Sequence, residues 1–284
     1  MEKRFTLADL QAAKRQHRRV AAVSCYDYLT ARLVAAAGVE MILVGDSAAQ
    51  VVLGFESTLP ATMDFMVAIT AAVRRGAPGV LLVADMPFLS YQLGVTTAVK
   101  NAGRFVVEAG AQMVKIETNQ AYLDVVKAVS DAGIAVMAHI GIRPQSIMKM
   151  GRYRAEATAA EDGLGLIALS EEMVRAGASA LLVEGAAAEV TEVITARCGV
   201  PVIGCGAGPA CDGQILIAPD ILGLSEGPVP RFAQRFDNLA ERVRAAFRKY
   251  TEDVQAGRFP DADHSYHMKA GERDRLGAML KDQA

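Results

Sequence analysis

The sequence predicts a (β/α)8 barrel, and three observations carry that prediction. A phrase of helix, glycine and short apolar run recurs along the chain; eight strand candidates alternate with helices over ~250 residues; and ionisable residues close successive strand candidates. The phrase reads Ala37-Gly38-Val-Glu-Met-Ile-Leu-Val, Arg75-Gly76-Ala-Pro-Gly-Val-Leu-Leu-Val, Ala109-Gly110-Ala-Gln-Met-Val, Ala132-Gly133-Ile-Ala-Val-Met, Ala176-Gly177-Ala-Ser-Ala-Leu-Leu-Val and Cys198-Gly199-Val-Pro-Val-Ile. Its glycines lie 38, 34, 23, 44 and 22 residues apart, too irregular for a solenoid but suited to βα units whose loops vary while their cores do not. Each glycine is expected to form a left-handed helix cap, and the run after it suits a strand buried on both faces.

Taken in order, Thr6–Gln16 reads as a leading helix, and Val20–Ser24 opens the first strand, over 20–25. The remaining strands are predicted at 41–45, 80–84, 112–117, 134–139, 180–184, 201–205 and 214–218. Helices are predicted between and after them at 27–37, 63–75, 96–109, 119–132, 160–176, 187–197 and 231–255. Residues 149–162 are the least patterned and are expected to form a mobile loop over one face. No Pro/Gly/Ser-rich linker divides the chain, so 1–284 reads as a single barrel domain with a short N-terminal helix and a C-terminal helical extension. A doubly wound open sheet shares the alternation and is the second architecture compatible with it.

Composition narrows the function classes. Of 284 residues, 52% are hydrophobic and 22% charged, which is globular and excludes disordered and collagenous classes. Thirty Lys and Arg against 32 Asp and Glu give a net charge of −2 with no long run of one sign, so no footprint for nucleic acid or anionic membrane is present. No Trp and 6% aromatics leave little for base stacking. The start carries no apolar signal core and the apolar runs are too short to span a bilayer, so a soluble cytoplasmic protein with a small-molecule partner is expected. Cys25, Cys198, Cys205 and Cys211 form no C-x-x-C pair and read as reduced structural thiols.

The ionisable residues carry the chemistry. Met41-Ile-Leu-Val-Gly-Asp46, Val80-Leu-Leu-Val-Ala-Asp85, Met113-Val-Lys-Ile-Glu117, Val136-Met-Ala-His139 and Ala180-Leu-Leu-Val-Glu184 are five successive strands ending in an ionisable group. In a barrel these ends converge on the C-terminal mouth, where barrel enzymes place their active sites. A single acid after a strand is ordinarily a helix cap or a solvated turn; five in succession point to a site. Lys115 and Glu117 are two apart and share one side of the sheet. Asp46, Asp85 and Glu117 offer oxygen ligands without Cys or a His pair, which favours a hard cation such as Mg²⁺; a solvated acidic cluster balanced by Lys115 is the alternative. His139 reads either as a working group or as a rim histidine orienting a neighbour. Gly204-Cys-Gly-Ala-Gly208 could offer N–H groups to an anion or simply form a tight turn. His264 and His267 with Asp261 and Asp263 resemble a metal cluster in composition, but a solvated tail is the expectation there. Met148 and Met150 are expected to fill gaps.

The motifs Cys25-Tyr-Asp-Tyr28, Val44-Gly-Asp-Ser47, Ser57-Thr-Leu-Pro60, Val73-Arg-Arg-Gly-Ala-Pro78, Ala84-Asp-Met-Pro-Phe88, Met113-Val-Lys-Ile-Glu117, His139-Ile-Gly-Ile-Arg-Pro-Gln-Ser146, Gly206-Ala-Gly208, Cys211-Asp-Gly-Gln214 and Asp263-His-Ser-Tyr266 run collinearly along nearly the whole chain. Together they resemble the ketopantoate hydroxymethyltransferase (3-methyl-2-oxobutanoate hydroxymethyltransferase) family. The resemblance implies a barrel of the phosphoenolpyruvate/pyruvate superfamily, Mg²⁺ dependence, 5,10-methylenetetrahydrofolate as one-carbon donor, a cytoplasmic decamer, and a place in pantothenate and coenzyme A synthesis. It also implies that Asp46, Asp85 and Glu117 are metal-site acids, that Ser47 and Lys115 with Asp46 and Asp85 contact the ketoacid, and that Glu184 is the general base. The sequence departs from the family pattern at Ala48-Ala-Gln50, at Phe55, after Tyr153, at Ala186-Ala-Ala-Glu189 and at Pro219. These positions bear on the ketoacid or folate partner rather than on the reaction class. A metal-dependent 2-ketoacid C–C lyase or aldolase of the same superfamily, and an inactive ketoacid- or folate-binding paralogue, are the competing functions.

Overall fold

The computed structural model describes residues 4–225, 227 and 229–283. The chain divides into two compact units, Met1–Phe236 and Asp237–Ala284. The first begins with helix α1 (Leu7–Arg15) and then alternates β1 (Val20–Ser24), α2 (Tyr28–Ala36), β2 (Met41–Val44), α3 (Ala48–Val51), α4 (Met63–Gly76), β3 (Leu81–Asp85), α5 (Val95–Val107) and β4 (Met113–Glu117). It continues with α6 (Leu123–Asp131), β5 (Ala135–Gly141), α7 (Ile147–Met150), α8 (Ala160–Arg175), β6 (Ala180–Glu184), α9 (Ala188–Arg197), β7 (Val202–Cys205), β8 (Gly213–Ile217) and α10 (Ala218–Leu222). Every strand pairs in parallel with the next and β8 pairs with β1, closing a (β/α)8 barrel and excluding the open sheet. The second unit holds α11 (Leu239–Gln255) and α12 (Glu272–Lys281). Among the described residues no helix is long and apolar enough to cross a membrane.

Local chemistry explains the elements. Thr6 caps α1 with a full capping box, its hydroxyl taking the Asp9 N–H while the Asp9 carboxylate takes the Thr6 N–H. Asp27 and Thr62 cap α2 and α4 through their side chains. Two hydrophobic layers follow from strand parity. Val44, Leu82, Val114, Ile116, Val136, Leu181 and Val183 point outward against the helices. Met41, Leu43, Leu81, Val83, Met113, Met137, Ala180, Leu182, Ile203 and Ile215 fill the barrel, with Leu10 and Ala13 of α1 packed against them.

Four of the six recurring glycines, Gly38, Gly110, Gly133 and Gly177, take the expected positive φ. Gly76 and Gly199 do not. Gly76 is the last residue of α4, and a Cβ there would fall 2.4 Å from the Tyr28 carbonyl oxygen, so its role is close approach between α4 and α2. The predicted helix 231–255 is corrected at its start: α11 begins at Leu239, because Phe236 is tied back to Ile221 by a backbone hydrogen bond of 2.9 Å. Four further short or terminal helices, α3, α7, α10 and α12, lay outside the prediction. Within 149–162, the end of α7 stops at left-handed Gly151, and Glu156 bridges Ala186. Met148 is 85% exposed and fills no gap.

Candidate active site

The site is built by the parity that fills the barrel. Residues two apart on a strand share a face. One step beyond Val83 is Asp85, beyond Met113 are Lys115 and Glu117, beyond Met137 is His139, beyond Leu182 is Glu184, and beyond Ala22 is Ser24. Asp46 and Ser47 lie just past β2, in the turn into α3. That turn needs Gly45, where a Cβ would sit 2.9 Å from Ser47 Oγ and 3.0 Å from Ser24 Oγ. Asp85, Glu117 and Glu184 are the last residues of their strands, as predicted, whereas β5 runs two residues beyond His139.

A cavity of about 420 Å³ opens at this mouth, and Asp46, Ser47, Asp85, Lys115 and Glu184 line it. Glu117 and His139 are buried and are not part of its lining; they reach it through their neighbours. Lys115 Nζ pairs with Asp85 Oδ2 at 2.7 Å and donates to His139 Nδ1 at 3.2 Å. The Asp46 N–H donates to the same Asp85 oxygen at 3.0 Å. Because an ammonium can only donate, His139 Nδ1 is the acceptor, and burial together with the Lys115 charge pushes the imidazole pKa down. The proton of the neutral ring is therefore assigned to Nε2. That atom lies 3.3 Å from Glu184 Oε2, close but not aligned as a hydrogen bond. Glu184 retains 22% side-chain exposure.

At the mouth carboxyl groups outnumber ammonium groups, and burial disfavours their charged forms. Burial pushes the Asp85 carboxyl up to about 8, with the Lys115 ammonium opposing and Asp46 reinforcing the shift. Burial likewise holds Glu117 well above the carboxylate range, against the pull of Lys115. Burial works against the charge of Lys115, but Asp85, Asp46 and Glu117 outweigh it and raise its pKa. Three carboxyl groups, Asp46, Asp85 and Glu117, thus lie around one ammonium, and Asp85 Oδ1 is buried without a hydrogen-bond partner among the described residues. That donor chemistry fits a hard divalent cation. Among the described residues no three His, Cys, Asp or Glu side chains gather into a group that could hold a metal by themselves. Mg²⁺ characteristically uses one or two carboxylates and completes its shell with water and substrate oxygens, which such a site can accommodate.

Gln145 is the residue that sequence reasoning missed. Its side-chain amide donates to Asp46 Oδ2 and to the Met86 carbonyl, both at 2.9 Å, and accepts from Tyr91 OH at 2.8 Å and Gln92 Nε2 at 3.2 Å. Its backbone N–H donates to both Glu117 oxygens at 3.0 and 3.2 Å. One residue therefore ties Asp46 to Glu117, through its side-chain and its backbone amide. The sequence signal was its place six residues after His139, but a neutral amide beyond a strand end has no charge to attract notice.

A match to the family described as Ketopantoate hydroxymethyltransferase spans residues 4–262. The chain belongs to that family. A 3-methyl-2-oxobutanoate hydroxymethyltransferase of Moorella thermoacetica is 47% identical over 263 residues, covering 93% of this chain and 98% of the relative. One from Hyperthermus butylicus is 43% identical over 281 residues, covering 99% and 97%. Among solved structures, a phosphonopyruvate hydrolase complexed with oxalate and Mg²⁺ superposes with a TM-score of 0.59 at 14% identity, covering 100% of this chain and 98% of that one. A 2,3-dimethylmalate lyase of the PEP mutase/isocitrate lyase superfamily gives 0.59 at 18% identity, covering 98% and 96%. At such identities these two share the fold.

The positions that depart from the family pattern divide. Gln50 lines the cavity, as does Tyr153 just before the departing segment, whereas Pro219 lies in the first turn of α10 beside the lining residue Asp220. Of Gly204 to Gly208, Gly204 and Cys205 end β7 and the chain turns at Gly206, which packs under the Phe232 ring, with Gly208 against Ala188. His264 and His267 are exposed, with His264 Nδ1 2.5 Å from Asp261 Oδ1 and His267 Nε2 3.2 Å from the Ala262 carbonyl oxygen. The four cysteines are free thiols, and burial pushes Cys25 up to about 12.

Proposed function

We propose that this chain transfers a hydroxymethyl group from 5,10-methylenetetrahydrofolate to 3-methyl-2-oxobutanoate, giving 2-dehydropantoate (ketopantoate) for pantothenate and coenzyme A synthesis. The observation that carries the reading is one wall-to-wall arrangement: the Glu184 carboxylate and the Lys115 ammonium face the same cavity, with neutral His139 in contact with both. A base and a cation so placed suit proton removal beside a carbonyl.

Asp46 and Asp85 would hold a divalent cation from the cavity wall, with Glu117 acting through water; Mg²⁺ in that place supplies Lewis-acid polarisation of the keto oxygen. The chain's own groups do the rest. Glu184 takes the proton from C3 of the ketoacid, and the pair of electrons left behind moves onto the keto oxygen. Lys115 stabilises the negative charge that develops there. His139 Nε2 lies 3.3 Å from the Glu184 carboxylate, close enough to turn toward it as the proton moves. Water adds to the methylene carbon of the folate and both of its C–N bonds break, so tetrahydrofolate leaves and a one-carbon aldehyde remains. C3 then bonds to that carbon as its C=O opens, and the new alkoxide takes the proton held by Glu184 to give the hydroxymethyl group. Gln145 holds Asp46 and Glu117 in place and touches no reacting atom. A homo-oligomer in the cytoplasm accompanies the family reading, and sedimentation of the purified chain tests the assembly.

A steady-state assay with 3-methyl-2-oxobutanoate, methylenetetrahydrofolate and Mg²⁺ tests the activity, and ketopantoate is the expected product. Turnover of a different 2-ketoacid without folate would replace the transferase with a C–C lyase. Binding without turnover of any ketoacid would make the chain a non-catalytic binding protein.

A further inference from the structure

One residue of the cavity wall carries a buried hydroxyl that the described residues leave unused. Thr58 lies in the loop between α3 and α4, whose residues 52–56 are exposed, yet Thr58 itself is only 2% exposed. Its carbonyl oxygen accepts the Ala61 N–H at 3.1 Å, but its Oγ1 is buried and has no hydrogen-bond partner among the described residues. A buried hydroxyl without a partner is disfavoured, and valine would fill the same space without that cost. Ser90 Oγ, Arg143 Nε and Glu172 Oε2 are also without partners, but none of them lines the cavity. Thr58 does, together with Asp46, Ser47 and Lys115.

The neighbouring polar groups show what is missing. Ser24 Oγ donates to the Leu43 carbonyl at 3.0 Å, and Gln50 Nε2 donates to the Glu56 carbonyl at 3.1 Å. Tyr26 OH and Ser47 Oγ share one hydrogen bond of 2.8 Å, which uses only one of their two protons. Thr58 therefore gives the wall a hydroxyl proton that the fold leaves unused, beside the Tyr26–Ser47 pair, and a carboxylate is the anion that accepts several hydrogen bonds at once. On the ketoacid reading above, we infer that Thr58 Oγ1 donates to the carboxylate of the bound 2-ketoacid and helps select substrates that carry one.

Thr58→Val and Thr58→Ser separate this role from a structural one. With 3-methyl-2-oxobutanoate titrated calorimetrically into the full chain with Mg²⁺ and no folate, Thr58→Val should weaken binding about tenfold or more, the loss expected for a hydrogen bond to a charged group. In turnover it should raise KM more than it lowers kcat, and Thr58→Ser should restore both. The ligand-free Thr58→Val protein should melt no lower than wild type, because nothing in the fold uses the hydroxyl. Wild-type affinity in Thr58→Val would overturn the inference alone, as would a lowered melting temperature of its ligand-free form. A wild-type chain that bound no 2-ketoacid would overturn the functional reading and this inference with it.

Discussion

The two ends of the barrel interior use the same strands and the same side-chain parity for opposite purposes. At the lower end Met41, Leu81, Met113 and Met137 are fully buried, and α1 packs Leu10 and Ala13 against this layer. At the upper end the inward positions are Ser24, Asp85, Lys115, Glu117, His139 and Glu184, and hydrogen bonds and ion pairs replace apolar contact. The change occurs within two residues on β4, from Met113 to Lys115. Height along the strand, rather than which way a side chain points, separates what stabilises this barrel from what gives it chemistry.

That contrast can be broken at either end. Met113→Ala at the lower end should cost about 2–5 kcal/mol of stability through the lost burial and the cavity left behind. Its ketoacid affinity should remain near wild type when measured well below the melting transition; denaturant unfolding and calorimetric titration together check the separation. Asp85→Asn at the upper end should act on the cation instead. A hundredfold excess of divalent ion over its Kd would stabilise wild type by about 2.7 kcal/mol, and most of that increment should be absent in the variant. Thermal melts with and without Mg²⁺ read the difference, and an unchanged increment would remove Asp85 from the cation site.

Gln145→Leu sharpens the boundary between the two ends. It leaves Asp46 Oδ2 and the Met86 carbonyl without their amide donor, a cost of about 1–3 kcal/mol, while the backbone N–H to Glu117 survives. Because Asp46 loses its orientation, Mn²⁺ affinity measured by electron paramagnetic resonance should fall as well. A stability loss with unchanged Mn²⁺ binding would make Gln145 a structural amide only.

The lower end was legible in the sequence because burial on both faces leaves continuous apolar runs after glycine, and the six strands so marked, with Val20–Ser24 and 214–218 added at the two ends, all fall close to the observed β1 to β8. The upper end was legible where charge marks it: Asp46, Asp85, Lys115 and Glu184 do share one cavity wall. What escaped was neutral or depended on three dimensions. Gln145 and Thr58 carry no charge. Glu117 ends β4 yet is held behind the wall by the Gln145 backbone N–H, and His139 lies behind it because β5 runs on to Gly141. The short helices α3, α7 and α10 have four or five residues, too few for a periodic pattern to register.

The central claim is that Glu184 removes the C3 proton of a 2-ketoacid at this mouth. Exchange of that hydrogen with deuterated solvent, followed by proton NMR on 3-methyl-2-oxobutanoate with Mg²⁺ and no folate, isolates the step from one-carbon transfer. Glu184→Gln keeps the shape of the side chain but cannot accept the proton, so exchange should slow by about 10²–10⁴-fold while ketoacid binding persists. Exchange at the wild-type rate in the Gln variant would contradict the assignment and move the proton to another base, with His139 the first to test.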